Sequence, residues 1–214
     1  MPIRRLVLIA ALALLTAPAM AAPAKPSAKA AKKPAAASAD MSLGSPKAKV
    51  QVVEYASLSC PHCARFNNDV FPAFKAKYVD TGQVRYTLRE MLTPPAQIAA
   101  AGFLMARCAG PERYFDVVDA VFKSQPRWTD DGADVKAIFV GVAKDNGLTE
   151  EQFEACLKNE AGLTALQARV KSAVAEGVDS TPTFVINGKK YEGEMSLEEL
   201  DAAVAEAGKT KKGG

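Results

Sequence analysis

The stretch SLSCPHCARF, residues 57–66, holds two of the four cysteines of the chain and its only histidine. Two cysteines with two residues between them have four ordinary uses: half a metal site, a haem attachment point, a short structural bridge or a redox reagent. Structural zinc needs four nitrogen or sulfur ligands. Cys60 and Cys63 would have to draw on Cys108 and Cys156, which do not form a second close pair, and there is no second histidine. Covalent haem attachment needs a histidine directly after the second cysteine, and Ala64 stands there. A C-x-x-C bridge closes a very short loop and removes little entropy from the unfolded chain, so it is a poor staple. Redox chemistry is left; no metal and no cofactor is expected.

That chemistry asks for Cys60 to be held where its thiolate is stable, and the flanking pattern provides this. KVQVVEYAS (49–57) reads as a strand with apolar residues of both parities, as in a central parallel strand. On it Val50, Val52 and Glu54 share one face, so Glu54 is expected to point inward beside two valines. A helix follows from about Pro61 to Tyr78, with Cys63, Phe66, Val70, Phe71, Phe74 and Tyr78 on one stripe, Pro61 in the first turn and a kink expected at Pro72. Cys60 then sits at the helix start, where unpaired N–H groups and the helix dipole favour a thiolate. Cys63, three residues on, lies on the same face and can reach back. His62 between them can add positive charge or hydrogen-bond to the Cys60 sulfur; its plainer reading is an exposed loop residue.

TGQVRYTLRE (81–90) is a turn and an alternating strand, which completes a βαβ unit. Helical periodicity then fills 95–108, 111–124, 132–146, 149–158 and 161–176, too much for one crossover and therefore a helical insertion. Thr149 with Gln152 fits a capping box. TPTFVINGKKYEG (181–193) is a hairpin whose Asn187-Gly188 suits a type I′ turn, and 195–208 is a closing helix capped by Ser196 and Glu199. The fold class is α/β: βαβ, helical insertion, β-hairpin, α.

CPHC placed after a strand and opening a long kinked helix resembles the thioredoxin superfamily, and the Pro-His filling resembles its DsbA branch, the exported dithiol oxidases of bacteria. The resemblance covers most of residues 46–207, helical insertion included. It implies that Thr181-Pro182 forms a cis-proline loop facing the active-site cysteines. It implies also that Glu54, six residues before Cys60, is the acidic residue beneath the site, where a buried carboxylate has a raised pKa and can relay protons to Cys63; pairing with a lysine or arginine is the other reading of Glu54. Asn67 stands where a second acid often lies, and Thr181 before the proline resembles the isomerase branch. Cys108 and Cys156 fall near the ends of two predicted helices. A structural bridge between them would close a loop of about 49 residues and stabilise by roughly 4 kcal/mol in the chain-entropy picture; a second redox pair is the other reading. Trp128 is read as core.

The resulting expectation is a protein disulfide oxidoreductase that introduces disulfides into exported, unfolded, cysteine-containing proteins and is reset by a membrane reoxidant of the DsbB type. The rivals are a disulfide isomerase or reductant of the same fold and a peptide-binding chaperone without turnover. Residues 22–44 contain no heptads or strands for the oligomerisation segment of known isomerases, which counts against that rival; a monomer is expected.

The ends of the chain agree with export. Arg4 and Arg5, the apolar run Leu6–Leu15 and Ala19-Met20-Ala21 read as a signal peptide over 1–21, which places the mature protein in the periplasm, where disulfides persist. Residues 22–44, rich in Ala, Pro and Lys, read as a disordered linker ahead of a domain at 45–208, and 209–214 as a frayed tail. The total charge of +3 misleads, because residues 46–207 carry 18 Lys and Arg against 23 Asp and Glu. The folded part therefore has no basic footprint for nucleic acid.

Overall fold

The computed structural model describes residues 40–209. The expected signal peptide, nearly all of the linker and the tail from residue 210 lie outside the described residues. The elements are β1 (Met41–Leu43), β2 (Val50–Ala56), α1 (from Pro61 to Val79), β3 (Val84–Glu90), α2 (Ala96–Cys108), α3 (Tyr114–Trp128), α4 (Val135–Asp145), α5 (Glu150–Leu157), α6 (Glu160–Ala175), β4 (Thr183–Ile186), β5 (Lys189–Glu192) and α7 (Leu197–Lys209). The five strands form one sheet in the order β1-β3-β2-β4-β5. β2 runs parallel to β3 and antiparallel to β4, so it is a central strand, as its two-sided hydrophobicity requires.

The register of β2 decides what enters the core. Val50, Val52 and Glu54 are 4%, 1% and 2% exposed, all on the face that α1 covers. Tyr55 points the other way, into a smaller cluster with Met91, Ala173 and Val178. The hairpin turn has φ of 45° at Asn187 and 90° at Gly188, the positive pair that a type I′ turn demands. Both capping boxes form: Thr149 with Gln152, and Ser196 with Glu199.

Helix α1 is not a smooth cylinder with one bend. It begins as α-helix over Pro61–Arg65, widens to π over Phe66–Val70, returns to α over Phe71–Phe74 and widens again over Lys75–Val79. Pro72 has no N–H to give back along the ladder, and the chain re-registers just ahead of it, with the Phe71 N–H donating to the Phe66 carbonyl.

Two boundaries differ from expectation. The linker does not extend to residue 44, because Met41–Leu43 pair antiparallel with β3, Met41 opposite Leu88, and the Met41 and Leu43 side chains pack against the core. Three residues are too few for a periodic signal; the open edge of β3 is what recruits them. Helix α3 runs past Ser124, through Pro126, to Trp128. Its last turn is held by buried partners: Gln125 bonds to the active-site loop, and the Trp128 indole N–H donates to Ser124 Oγ at 3.0 Å.

Helices α2 to α6 form the insertion, and one glycine fixes how closely it meets the sheet domain. A Cβ on Gly102 of α2 would lie 2.7 Å from Leu58 Cδ1, so any larger residue there would have to displace the Leu58 side chain of the loop that carries Cys60. Cys108 at the end of α2 is disulfide-bonded to Cys156 in α5, tying the insertion together.

Candidate active site

Cys60 occupies the N-cap position of α1 with extended backbone angles, and Pro61 follows as the first helical residue. Both Cys60 and Cys63 are free thiols; Cys60 is 6% exposed and Cys63 fully buried. The two sulfurs are chemically unequal. Cys60 is lowered to about 5, first by the Cys63 thiol donating to it, and further by the Thr181 side chain and the backbone N–H groups of Cys63 and His62, against the opposing effect of burial. Cys63 is held well above an ordinary thiol by burial first, then by its bond to Cys60 and the nearby Glu54 charge. One cysteine is thus a stable thiolate and good leaving group, and the other a reluctant one that keeps its proton.

Facing Cys60 is the loop before β4. The Thr181–Pro182 peptide bond is cis, and the Thr181 carbonyl oxygen lies 3.3 Å from the Cys60 sulfur, accepting from the protonated thiol. The Pro94–Pro95 bond is cis as well.

Beneath the pair, Glu54 meets no cationic partner among the described residues; the Tyr86 hydroxyl donates to its Oε2. Burial pushes the Glu54 carboxyl up to about 8; the Tyr86 bond opposes this and the Cys60 charge adds to it. The carboxyl therefore carries a proton at neutral pH, and its charge when ionised helps raise Cys63. The ring of His62 takes a different place from the one expected: it is exposed, and Nδ1 lies 2.8 Å from Glu194 Oε1 and 2.6 Å from Arg65 Nη2. What His62 gives the Cys60 sulfur is its backbone N–H.

Several residues that hold the site carry no motif. Gln125 of α3, buried, donates from Nε2 to the carbonyls of Leu58 at 2.9 Å and Cys60 at 3.1 Å, so the insertion grips the active-site loop. Ser59 donates to the Thr93 carbonyl at 2.7 Å, and the Thr93 N–H donates to Ser57 Oγ at 3.0 Å. Asn67 donates to Asp119 of α3 at 3.1 Å, so a carboxylate does reach this part of α1, but from the insertion. Glu90, buried at the end of β3, binds Arg107 of α2, Arg169 of α6 and the Tyr114 hydroxyl, pinning the insertion to the sheet. Gln125 and Glu90 had one sequence signal each: Gln125 continues the buried stripe Val118, Val121, Phe122 of α3, and Glu90 continues the inward parity of Val84, Tyr86 and Leu88. A polar side chain at such a position must find a buried partner. Among the described residues no group of three or more His, Cys, Asp or Glu is placed to hold a metal ion.

A strand, a cysteine pair at a helix start and a facing cis-proline loop on this sheet define a thioredoxin-type protein, and a thioredoxin family model matches residues 36–206; the chain belongs to that family. Within it the likeness is to DsbA proteins. The fold superimposes on the crystal structure of Wolbachia pipientis alpha-DsbA1 with a TM-score of 0.73 and 28% identity, over 79% of this chain and 92% of that one. On oxidised BdbD from Bacillus subtilis the TM-score is 0.69, with 21% identity over 78% and 92% of the two chains, a likeness of fold. A curated protein of Rickettsia bellii named "Putative protein-disulfide oxidoreductase" is 31% identical over 170 residues, 78% of this chain and 64% of that protein. The chain thus spans just under two thirds of the length of that relative.

Proposed function

We propose that this protein is a thiol:disulfide oxidoreductase that introduces disulfides into exported, unfolded proteins. The observation that carries the reading is the inequality of the two thiols, with Cys60 lowered to about 5 and Cys63 raised and buried, opposite a cis-proline loop. In the oxidised protein a substrate thiolate attacks Cys60 Sγ. The Cys60–Cys63 bond breaks, Cys63 leaves with the electron pair and takes up a proton, and a mixed disulfide joins substrate to Cys60. A second substrate thiolate then attacks the substrate sulfur of that bond and Cys60 leaves as a thiolate. Two substrate thiols become one disulfide, and the protein is left as the dithiol. Glu54, protonated below about pH 8, is the proton donor for Cys63 as it leaves.

A stabilised Cys60 thiolate stabilises the reduced protein and so makes the oxidised one a strong oxidant. The reduced protein has to be reset, and a membrane partner of the DsbB type is the reoxidant proposed. Residues 1–21 direct export, and the protein works in the periplasm as a monomer. The reduction potential of the Cys60–Cys63 pair in glutathione buffer tests the reading. A value near that of DsbA, about −120 mV, is expected; one near that of thioredoxin, about −270 mV, would refute the oxidase direction.

A further inference from the structure

One acidic side chain joins the two halves of the site without belonging to either. Glu194 lies in the loop between β5 and α7. The residue before it, Gly193, donates its backbone N–H to the carbonyl of cis-Pro182 at 2.9 Å. Its own carboxylate oxygen Oε1 lies 2.8 Å from His62 Nδ1 and 2.7 Å from Arg65 Nη2, both on α1. The loop therefore straps the cis-proline segment to the cysteine helix, and Glu194 is the clasp. Arg65 Nη2 lies 2.6 Å from the same Nδ1 and donates to Glu194 Oε1, so the imidazole, the guanidinium and the carboxylate form one cluster that draws the His62 ring toward the β5–α7 loop. A carboxylate that binds this imidazole competes for it with any other anion in reach, and the nearest functional anion is the Cys60 thiolate two residues away.

We propose that Glu194 is a positioning residue for His62, holding its ring off the Cys60 sulfur and so limiting how strongly the thiolate, and with it the reduced protein, is stabilised. The inference rests on the reading of Cys60 and Cys63 as the redox pair. It explains how a CPHC filling can be tuned from a loop 132 residues away without changing either cysteine or the two residues between them.

The test compares four proteins, wild type, Glu194→Gln, His62→Ala and the double variant, by their equilibrium constants with glutathione. Glu194→Gln should make the protein more oxidising by about two- to fivefold, the range a half-exposed charge supplies. In the His62→Ala background the same change should move the constant by less than about 1.5-fold. An equal change in both backgrounds would mean that Glu194 acts as a plain through-space charge and would overturn the proposal, as would no change or a change of opposite sign. His62 is the only histidine of the chain, so its ring signals in NMR give a second readout: they should move on Glu194→Gln and on no structural control such as Lys189→Gln. If the wild-type potential itself is that of a reductant, the proposed oxidase function fails; the difference between backgrounds still judges the role of Glu194.

Discussion

The sulfur of Cys60 lies 3.3 Å from the backbone oxygen of Thr181, although 121 residues separate the two along the chain. The contact follows from strand pairing. β2 leads into Cys60, β4 starts just after cis-Pro182, and Tyr55 is registered opposite Thr183 in an antiparallel ladder. The end of one strand is thereby brought against the beginning of the other, and Cys60 meets the cis-proline loop.

The thiolate of Cys60 should be directly visible. In the reduced protein its ultraviolet absorbance should titrate with a midpoint of about 5. Cys63→Ala removes the foremost donor and should raise that midpoint by about one pH unit. A midpoint near the ordinary thiol value of about 8.5 in the wild type would contradict the site as described.

The same shift has a signature in stability. A thiol whose folded midpoint is depressed from 9.0 to about 5 contributes stability that is fully present above pH 9 and is lost as pH falls through 5. The oxidised protein has no such thiol. Urea unfolding of the two forms should therefore show the reduced form gaining on the oxidised form as pH rises from about 5 to 9. A difference that stays flat across that window would count against a depressed Cys60.

Glu54 works in the opposite sense. Its folded value, raised from 4.5 to about 8, means stability that is present below pH 4.5 and lost as pH rises through about 8. Glu54→Gln cannot ionise and should be more stable than wild type by about 3 kcal/mol at pH 7, with the gap closing near pH 4. It should also slow turnover by about tenfold and flatten its dependence on pH, because the proposed proton donor for Cys63 is gone. A variant that is both no more stable and no slower would remove Glu54 from the mechanism.

Gln125→Ala strips the donor from two carbonyls of the active-site loop. The expected cost is about 1–3 kcal/mol in urea unfolding, since buried acceptors are left unpaired. The potential of the Cys60–Cys63 pair should shift as well, because the Cys60 backbone loses a constraint. A loss of stability with an unmoved potential would make Gln125 structural only.

Replacing both Cys108 and Cys156 by alanine opens a bridge with a sequence separation of 48. Thermal unfolding of the protein should show a loss of about 4 kcal/mol by the loop-entropy argument. Thiol–disulfide exchange at Cys60 and Cys63 should survive, and a loss of exchange in a protein that still folds would point to a redox role for the second pair.

The chemistry of this protein and the order of its elements are local properties, and the sequence by itself determined them. A cysteine pair at a helix start, alternation in β2 and β3, 3.6-residue periodicity in α2 to α6 and Asn-Gly in the hairpin each act within a few residues, so composition and spacing report them. The inward direction of Glu54 was legible for the same reason, since side chains in a strand alternate and its neighbours on that face are valines. What surrounds each of these groups was decided by the tertiary structure alone. The strand Met41–Leu43 exists because β3 offers an open edge, and nothing in three residues announces it. The ring of His62 turns to Glu194, Gln125 reaches back to Leu58 and Cys60, and Glu90 collects arginines from two helices, each across a long stretch of chain. Hydrogen bonds and burial are set by which surfaces the fold brings together, and a linear pattern carries no record of that pairing. The type of reaction was therefore written in ten residues, while the unequal acidity of its two sulfurs required the whole domain.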